Sequence, residues 1–281
     1  MNEQKFKGKV AVITGAGGTL CSEMARNLAR QGVKVALLGR TIEKLQKVEK
    51  DISQNGGIAI SISTDVTDQE QVELGFKKVK DSFGRCDILI NGAGGNQPDA
   101  VTTVSEFNPK ELDRTEGVRG FFNLDMNIFG NVIVSNTMGT VIPCFIFGRG
   151  MAKQRSGNII NMASMNSFRP LSRVGAYGMA KAGIMNFTQW LAAYLAPAGI
   201  RVNAIAPGFF LNDRSRKLLT TPDGGYTERG HNILRQTPMK KFGEAPELTG
   251  CLNWLIDDEA SGFVTGVTIP VDGGFLADSG V

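Results

Sequence analysis

Histidine is almost missing from this chain, with His231 the one imidazole in 281 residues, so a metal centre built on histidine ligands is excluded as a reading. Cysteine is scarce and scattered. Cys21, Cys86, Cys144 and Cys251 form no CxxC pair, which speaks against a disulfide frame and for reduced thiols in a cytoplasmic protein. Charge of one sign is not in large excess either: 31 Lys and Arg stand against 27 Asp and Glu, with no long block of one kind. A nucleic-acid stripe and a polybasic membrane anchor are excluded on that ground. Long apolar runs are missing as well. Met1 to Lys9 is polar and charged, unlike a signal peptide, and nothing later approaches a membrane-spanning helix. The partners that remain are small molecules and further copies of the protein, with no metal, no nucleic acid and no membrane expected.

What is present is an alternation. The sequence is 42% hydrophobic, enough to bury a sizeable core. Short β-branched runs at Val10–Thr14, Val33–Leu38, Ile58–Ser63, Ile88–Asn91, Asn158–Met162, Arg201–Ile205 and Val267–Val271 read as strands, with amphipathic helical patterns between them. Strands separated by helices imply an α/β fold with a parallel sheet of about seven strands and helices on both faces. Two stretches break the rhythm, 92–131 and 207–246. Each is too long for an ordinary connection and should carry structure of its own. Both follow carboxyl ends of predicted strands, the edge at which open parallel sheets bind ligands.

The chemistry-bearing residues gather at that edge. Thr14-Gly15-Ala16-Gly17-Gly18-Thr19-Leu20-Cys21 follows the first strand and opens a helix-forming run from Ser22 to Arg30, so backbone amides and the helix dipole can meet a pyrophosphate. The second strand ends at Leu38-Gly39-Arg40. An acid there would hold the ribose 2′-hydroxyl of NAD, whereas an arginine accommodates a 2′-phosphate, so NADP is the expected cofactor and NAD the alternative. Asp65, followed by Val66, either accepts from an adenine amine or caps the next helix. Tyr177 and Lys181 stand four apart in Ala176-Tyr-Gly-Met-Ala-Lys181, on one face of a predicted helix. An ammonium beside a phenol favours the phenolate and brings it toward the working range of a proton donor.

With these residues in order, the sequence resembles the short-chain dehydrogenase/reductase family from Val10 to about Gly274. The family's Tyr-x-x-x-Lys corresponds to Tyr177 and Lys181, its serine thirteen residues earlier to Ser164, and its Asn-x-x-Gly asparagine to Asn136. Asn91 to Gly94, Pro207-Gly208 and Val271 to Gly274 carry its other signatures. Thr19 and Cys21 depart from the usual turn, standing where the family has its second and third glycines. The resemblance implies a single Rossmann-type doubly wound domain over 1–281. It implies cofactor contacts at Gly15, Gly17, Thr19, Leu20, Arg40, Asp65, Val66, Asn91, Gly92, Ala93, Tyr177, Lys181, Pro207 and Gly208. Ser164 and Tyr177 would hold a carbonyl oxygen, Lys181 would lower the tyrosine's pKa, and Asn136 would hold a water for proton refill. A homotetramer is also implied, with Phe187 to Leu195 and Gly262 to Val281 as candidate contacts.

Within the family the nearest likeness is to the members of D-mannonate oxidoreductase (fructuronate reductase) type. It rests on Asn91-Gly-Ala-Gly-Gly-Asn-Gln-Pro98, Ser164-Met-Asn166, Asn186-Phe-Thr-Gln-Trp190, Ala206-Pro-Gly-Phe-Phe-Leu211 and Thr237-Pro-Met239. A sugar acid brings a carboxylate and several hydroxyls. Arginine suits the carboxylate, and Arg169, Arg173, Arg214, Arg229 and Arg235 are within reach in sequence, with at least one expected to touch the acid. Asn96, Gln97, Asn166 and Phe209 complete the expected substrate residues. The segment from Phe209 to Glu244 holds seven Lys or Arg against four Asp or Glu, suited to a lid over an anion. The alternatives are a gluconate 5-dehydrogenase-like or 3-oxoacyl-carrier-protein reductase-like enzyme and a non-catalytic dinucleotide sensor.

Overall fold

Alternation along the first strand already sets the layers. In β1 (Val10–Thr14) Val10 and Val12 point into one core while Ala11 and Ile13 point into the other, all of them fully buried. The computed structural model describes residues 5–278. In it the elements follow as α1 (Thr19–Arg30), β2 (Lys34–Gly39), α2 (Ile42–Gln54), β3 (Ile58–Ser63), α3 (Gln69–Phe83), β4 (Ile88–Asn91), α4 (Met126–Gln154), β5 (Gly157–Met162), α5 (Gly175–Leu195), β6 (Ile200–Pro207), α6 (Asp213–Leu219), α7 (Glu228–Gln236), α8 (Thr249–Ile256), α9 (Asp258–Ser261) and β7 (Thr268–Val271). The strands form one seven-stranded sheet in the order β3-β2-β1-β4-β5-β6-β7, and every pairing is parallel. This is the parallel sheet that the alternation predicts, in the doubly wound Rossmann-type arrangement that the resemblance implies.

Helices cover both faces. Met24 and Leu28 of α1, Leu45 and Val48 of α2, and Leu252 and Leu255 of α8 close one core. Val72 and Val79 of α3, Phe147 and Met151 of α4, and Leu191 of α5 close the other. Because β1 pairs with β2 on one side and β4 on the other, the connections leave in opposite directions there. A crevice opens at the carboxyl ends, with Thr14 in register with both Leu38 and Asn91.

Three expectations are corrected. Helix α4 is long and apolar enough, by length and composition, to cross a membrane, against the expectation that no such segment exists. Asn127, Asn131, Ser135, Asn136 and Thr137 interrupt its apolar run and hide it from inspection. One of its faces packs on the sheet through Phe147 and Met151 and, nearer its start, on Ala100 and Ala176 through Val132, while Val134, Met138 and Phe145 are exposed. Its start lies at Met126, inside the stretch 92–131 that broke the predicted alternation. The carboxylate of Asp125 accepts from the amides of Asn127 and Ile128 at 2.8 and 3.2 Å, capping the helix earlier than the apolar pattern begins. Asp65 is not the cap of α3; Asp68 is, accepting from Glu70 and Gln71.

The two long stretches carry local structure. Residues 98–123 form three short 3-10 turns around the buried Glu111, whose carboxylate accepts from the backbone amides of Asn108 and Phe122 at 3.1 and 2.9 Å. The second stretch holds α6 and α7, joined where Gly230 meets the Leu219 carbonyl too closely for a side chain.

Candidate active site

The glycine turn is shaped by close approach. Gly15 has φ +65°, and a Cβ there would stand 2.8 Å from the backbone of Ala93, so only glycine lets the end of β1 touch the end of β4. Gly17 lies against Lys44 Cβ, which an added side chain would meet at 2.9 Å. Gly18 is the N-cap of α1 and contributes no side-chain cap. The first-turn amides of this helix therefore keep their hydrogen-bonding capacity and the positive end of the dipole for an anion.

One of the two departures from the family turn, Cys21, has a structural answer. The thiol of Cys21 is buried and occupies the place beside Gly92 where a side chain would otherwise go: a Cβ on Gly92 would lie 2.1 Å from Cys21 Sγ. The helix start is thus accommodated by removing a side chain across the cleft.

A cleft of about 770 Å³ runs from this turn to the ends of β5 and β6. Of the expected cofactor residues, Gly15, Gly17, Thr19, Leu20, Arg40, Asp65, Val66, Gly92, Ala93, Tyr177, Lys181, Pro207 and Gly208 line it, as do Ser164, Asn96 and Gln97. Asn91 does not. It is buried beneath, its amide nitrogen donating to Asn161 Oδ1 at 2.9 Å, while Asn161 in turn donates to Thr188 of α5 at 2.9 Å. This series of amides ties β4 and β5 to the helix that bears Tyr177 and Lys181.

Lys181 is buried, with Nζ donating to the Met162 carbonyl at 2.7 Å and lying 5.5 Å from the centre of the Tyr177 ring. Burial pulls its pKa down to about 8, opposed by the neighbouring Cys21. Burial likewise pushes the Tyr177 phenol above its ordinary range, against a hydrogen bond with Ser164 that acts in the opposite direction. The expected lowering of the tyrosine by Lys181 is not among the causes acting on the phenol, where desolvation outweighs the hydrogen bond with Ser164.

Asn136 also differs from expectation. Its side-chain amide donates to Val132 O at 2.8 Å and Gly95 O at 2.7 Å and accepts from Gly95 N at 3.1 Å. A side chain so committed locks α4 to the Gly94–Gly95 loop and does not line the cleft, where its neighbour Ser135 does. Asp65 lines the cleft and does not cap α3: its Oδ1 accepts from the amide and hydroxyl of Thr67 at 2.9 and 2.7 Å. Those bonds, first the amide and then the hydroxyl, hold its carboxyl below the usual range, with Arg40 adding to them.

The expected substrate residues divide. Asn96 and Gln97 line the cleft; Asn166, Arg169, Arg173 and Phe209 do not. Asn166 Oδ1 accepts from the Leu171 amide, Arg169 donates to the Asp278 carbonyl, and Phe209 packs edge-on to Phe275. The side chain of Arg214 lies outside those described, as do the last three residues of the predicted Gly262–Val281 contact. Lys44, Phe210 and Asn212 line the cleft without having been singled out. Lys44 lies in the first turn of α2, four residues after Arg40, and that closeness in sequence was the available signal.

Comparison with known proteins agrees with this geometry. The short chain dehydrogenase profile matches residues 9–223. An uncharacterised oxidoreductase of Bacillus subtilis, UxuB, is 48% identical over 278 residues, covering 99% of this chain and 98% of the relative. A provisionally assigned D-mannonate oxidoreductase from Haemophilus influenzae, solved with bound NAD, superposes with a TM-score of 0.93 at 46% identity, covering 99% of this chain and 98% of that one. An NAD⁺-bound xylitol dehydrogenase superposes with a TM-score of 0.82 at 31% identity, covering 96% of this chain and 100% of that one. The protein belongs to the short-chain dehydrogenase family and is an oxidoreductase acting on CH–OH groups.

Proposed function

We propose that this enzyme interconverts D-fructuronate and D-mannonate with a nicotinamide dinucleotide as cofactor. The observation that carries the reading is one continuous cleft joining the glycine turn to Ser164, Tyr177 and Lys181. The substrate is supported by the likeness to the Haemophilus protein along nearly the whole sequence.

The residues present fit the cofactor. The uncapped start of α1 and the backbone from Gly15 to Thr19 would hold the pyrophosphate, and Asp65 and Val66 would border the adenine. NADP is supported by Arg40 and Lys44 on the same cleft wall, and NAD by the ligand of the Haemophilus neighbour. When bound, the nicotinamide supplies the hydride. Ser164 and Tyr177 hold the carbonyl oxygen, and the Tyr177 hydroxyl gives up its proton as charge develops there. Lys181 places a positive charge behind the phenol, and Asn136 acts as a positioning residue through the Gly95 loop. The protein is read as a cytoplasmic homotetramer. Four free cysteines and the exposed rings of Trp190 and Tyr194 on α5, stacked in line with the half-buried Phe187, support that reading.

The test is cofactor absorbance with D-fructuronate, NADPH and NADH in parallel, and D-tagaturonate and 5-ketogluconate as comparison ketoacids. Turnover of fructuronate in preference to the others is expected. Replacement Tyr177→Phe should lower kcat by about 10²- to 10⁴-fold, the contribution of a positioned proton donor. Turnover of only another ketoacid, or of none, would overturn the substrate while leaving the oxidoreductase class.

A further inference from the structure

Two hydroxyls must meet at one carbonyl oxygen, and they come from different elements. Tyr177 stands in the first turn of α5, whereas Ser164 is the N-cap of a 3-10 turn, Met165–Ser167, that follows β5. Both line the cleft. The chain between the two elements, 168–174, holds turns and bends but no helix or strand. Such a connection does not by itself fix two side chains to the tolerance that proton transfer demands.

The serine segment is instead fastened at both ends to one residue of α5. Met162, at the end of β5, accepts from Lys181 Nζ at 2.7 Å. Ser167, at the end of the 3-10 turn, donates from its hydroxyl to the backbone carbonyl of Lys181, also at 2.7 Å. Ser164 lies between these fastenings. Its hydroxyl accepts from the Asn166 amide at 3.2 Å and its carbonyl from the Ser167 amide at 2.8 Å, so Ser164 and Ser167 move as one unit. All four residues from Ser164 to Ser167 are buried, as is Lys181. Asn166 adds a contact beside the tyrosine: a Cβ on Gly178 would stand 3.7 Å from its Oδ1.

The two fastenings do different things. The ammonium of Lys181 ends a flexible four-carbon stem, which passes little on about where the main chain lies. The Ser167 hydroxyl, on its short side chain, reaches the main chain of α5 directly. Ser167 comes one 3-10 turn after Ser164, and Lys181 one α-helical turn after Tyr177, so this bond spans the same gap as the two hydroxyls, one turn further on. The Lys181 carbonyl, in the interior of α5, already has a donor from the helix ladder. A second donor is not needed to satisfy it, and alanine at position 167 would leave no buried polar group unpaired. What the hydroxyl adds is a fixed distance between the two elements.

We propose that Ser167 is a positioning residue for the oxidoreductase reaction: its hydroxyl, held on the Lys181 carbonyl, sets Ser164 against Tyr177. It does not line the cleft and acts only through Ser164. The role belongs to the oxidoreductase chemistry and is independent of which sugar acid is the substrate. It has a consequence for pH. The hydrogen bond with Ser164 draws the Tyr177 phenol down against burial, so a serine turn that drifts lets the phenol rise. Alcohol oxidation, in which the phenolate takes up the proton, then requires a higher pH.

The experiment is a double-variant cycle at saturating cofactor: wild type, S167A, S164A and the variant carrying both changes. It follows reduction of D-fructuronate and oxidation of D-mannonate, or the preferred one of D-tagaturonate and 5-ketogluconate if fructuronate is not turned over. S167A should lower kcat by about 10- to 100-fold, leave the Kd of the nicotinamide cofactor unchanged, and move the acid limb of the kcat profile for oxidation to higher pH. S167T, which keeps the hydroxyl, should recover most of kcat. In the S164A background the loss of Ser167 should cost no more than about 2-fold, because the group it positions is already gone. Equal losses in both backgrounds would overturn the positioning role, as would S167A with the kcat and pH profile of the wild type. Hydrogen exchange over 162–168, which needs no substrate, should speed up in S167A. Unchanged exchange there would overturn the tie on its own, whereas a wild type that turns over none of the three ketoacids would remove only the sugar-acid reading.

Discussion

Cys21 and Gly92 share one volume, and neither can be understood alone. A side chain on Gly92 would meet the thiol at 2.1 Å, between backbone segments that both line the cleft and cannot retreat. Gly92→Ala should therefore cost about 1–3 kcal/mol by overpacking and lower Tm. The same change in a Cys21→Gly background should cost far less, and thermal melts of the two single variants and the double variant read the coupling directly. The sequence announced Cys21 as a departure from a glycine pattern, but not where its thiol would go. That needed the distance across the cleft. Tyr177 and Lys181 were legible from spacing, because four residues on a helix fix a shared face. Their pKa directions were not, because both follow first from burial, which the packing of other elements sets. Asn136 was legible as a position, but the partner of its side chain was not, because Gly95 is 41 residues away.

At the scale of elements, regular structure was legible and irregular structure was not. Of the predicted strands, the first, third and fourth match the observed ones, and the others differ at their ends: β6, for instance, runs Ile200–Pro207 against a predicted Arg201–Ile205. Strands repeat an apolar pattern that survives in the sequence. The stretch between β4 and α4 has no period because single side chains hold it together, and Glu111 is the centre. Its carboxylate is pressed against Gly120, where a Cβ would stand 2.1 Å from it, and it satisfies the Asn108 and Phe122 amides. Glu111→Ala should leave those donors without partners and cost about 1–3 kcal/mol. Limited proteolysis should then cut between Phe107 and Phe122 in the variant earlier than in the wild type; equal resistance would show that other ties suffice.

Over the whole molecule, the alternation of strands and helices was enough to give a parallel sheet with two covered faces, and the position of the glycine turn gave its binding edge. What the alternation could not give is which surfaces stay exposed. Val134, Met138 and Phe145 on α4 and Trp190 and Tyr194 on α5 all face outward, although their sequence context reads as well for a core. The protein has two tryptophans, and both are surface residues, with Trp190 57% and Trp254 41% accessible. Intrinsic fluorescence will consequently report on the skin of the protein and say little about its interior. In an isolated subunit, denaturant should move the emission maximum only slightly, so a probe of secondary structure such as circular dichroism would register an unfolding that the indoles nearly miss. Association through α5 would reverse this by drying Trp190 against its stacked neighbour, so dilution that separates subunits should redden the emission while the circular dichroism spectrum stays as it was.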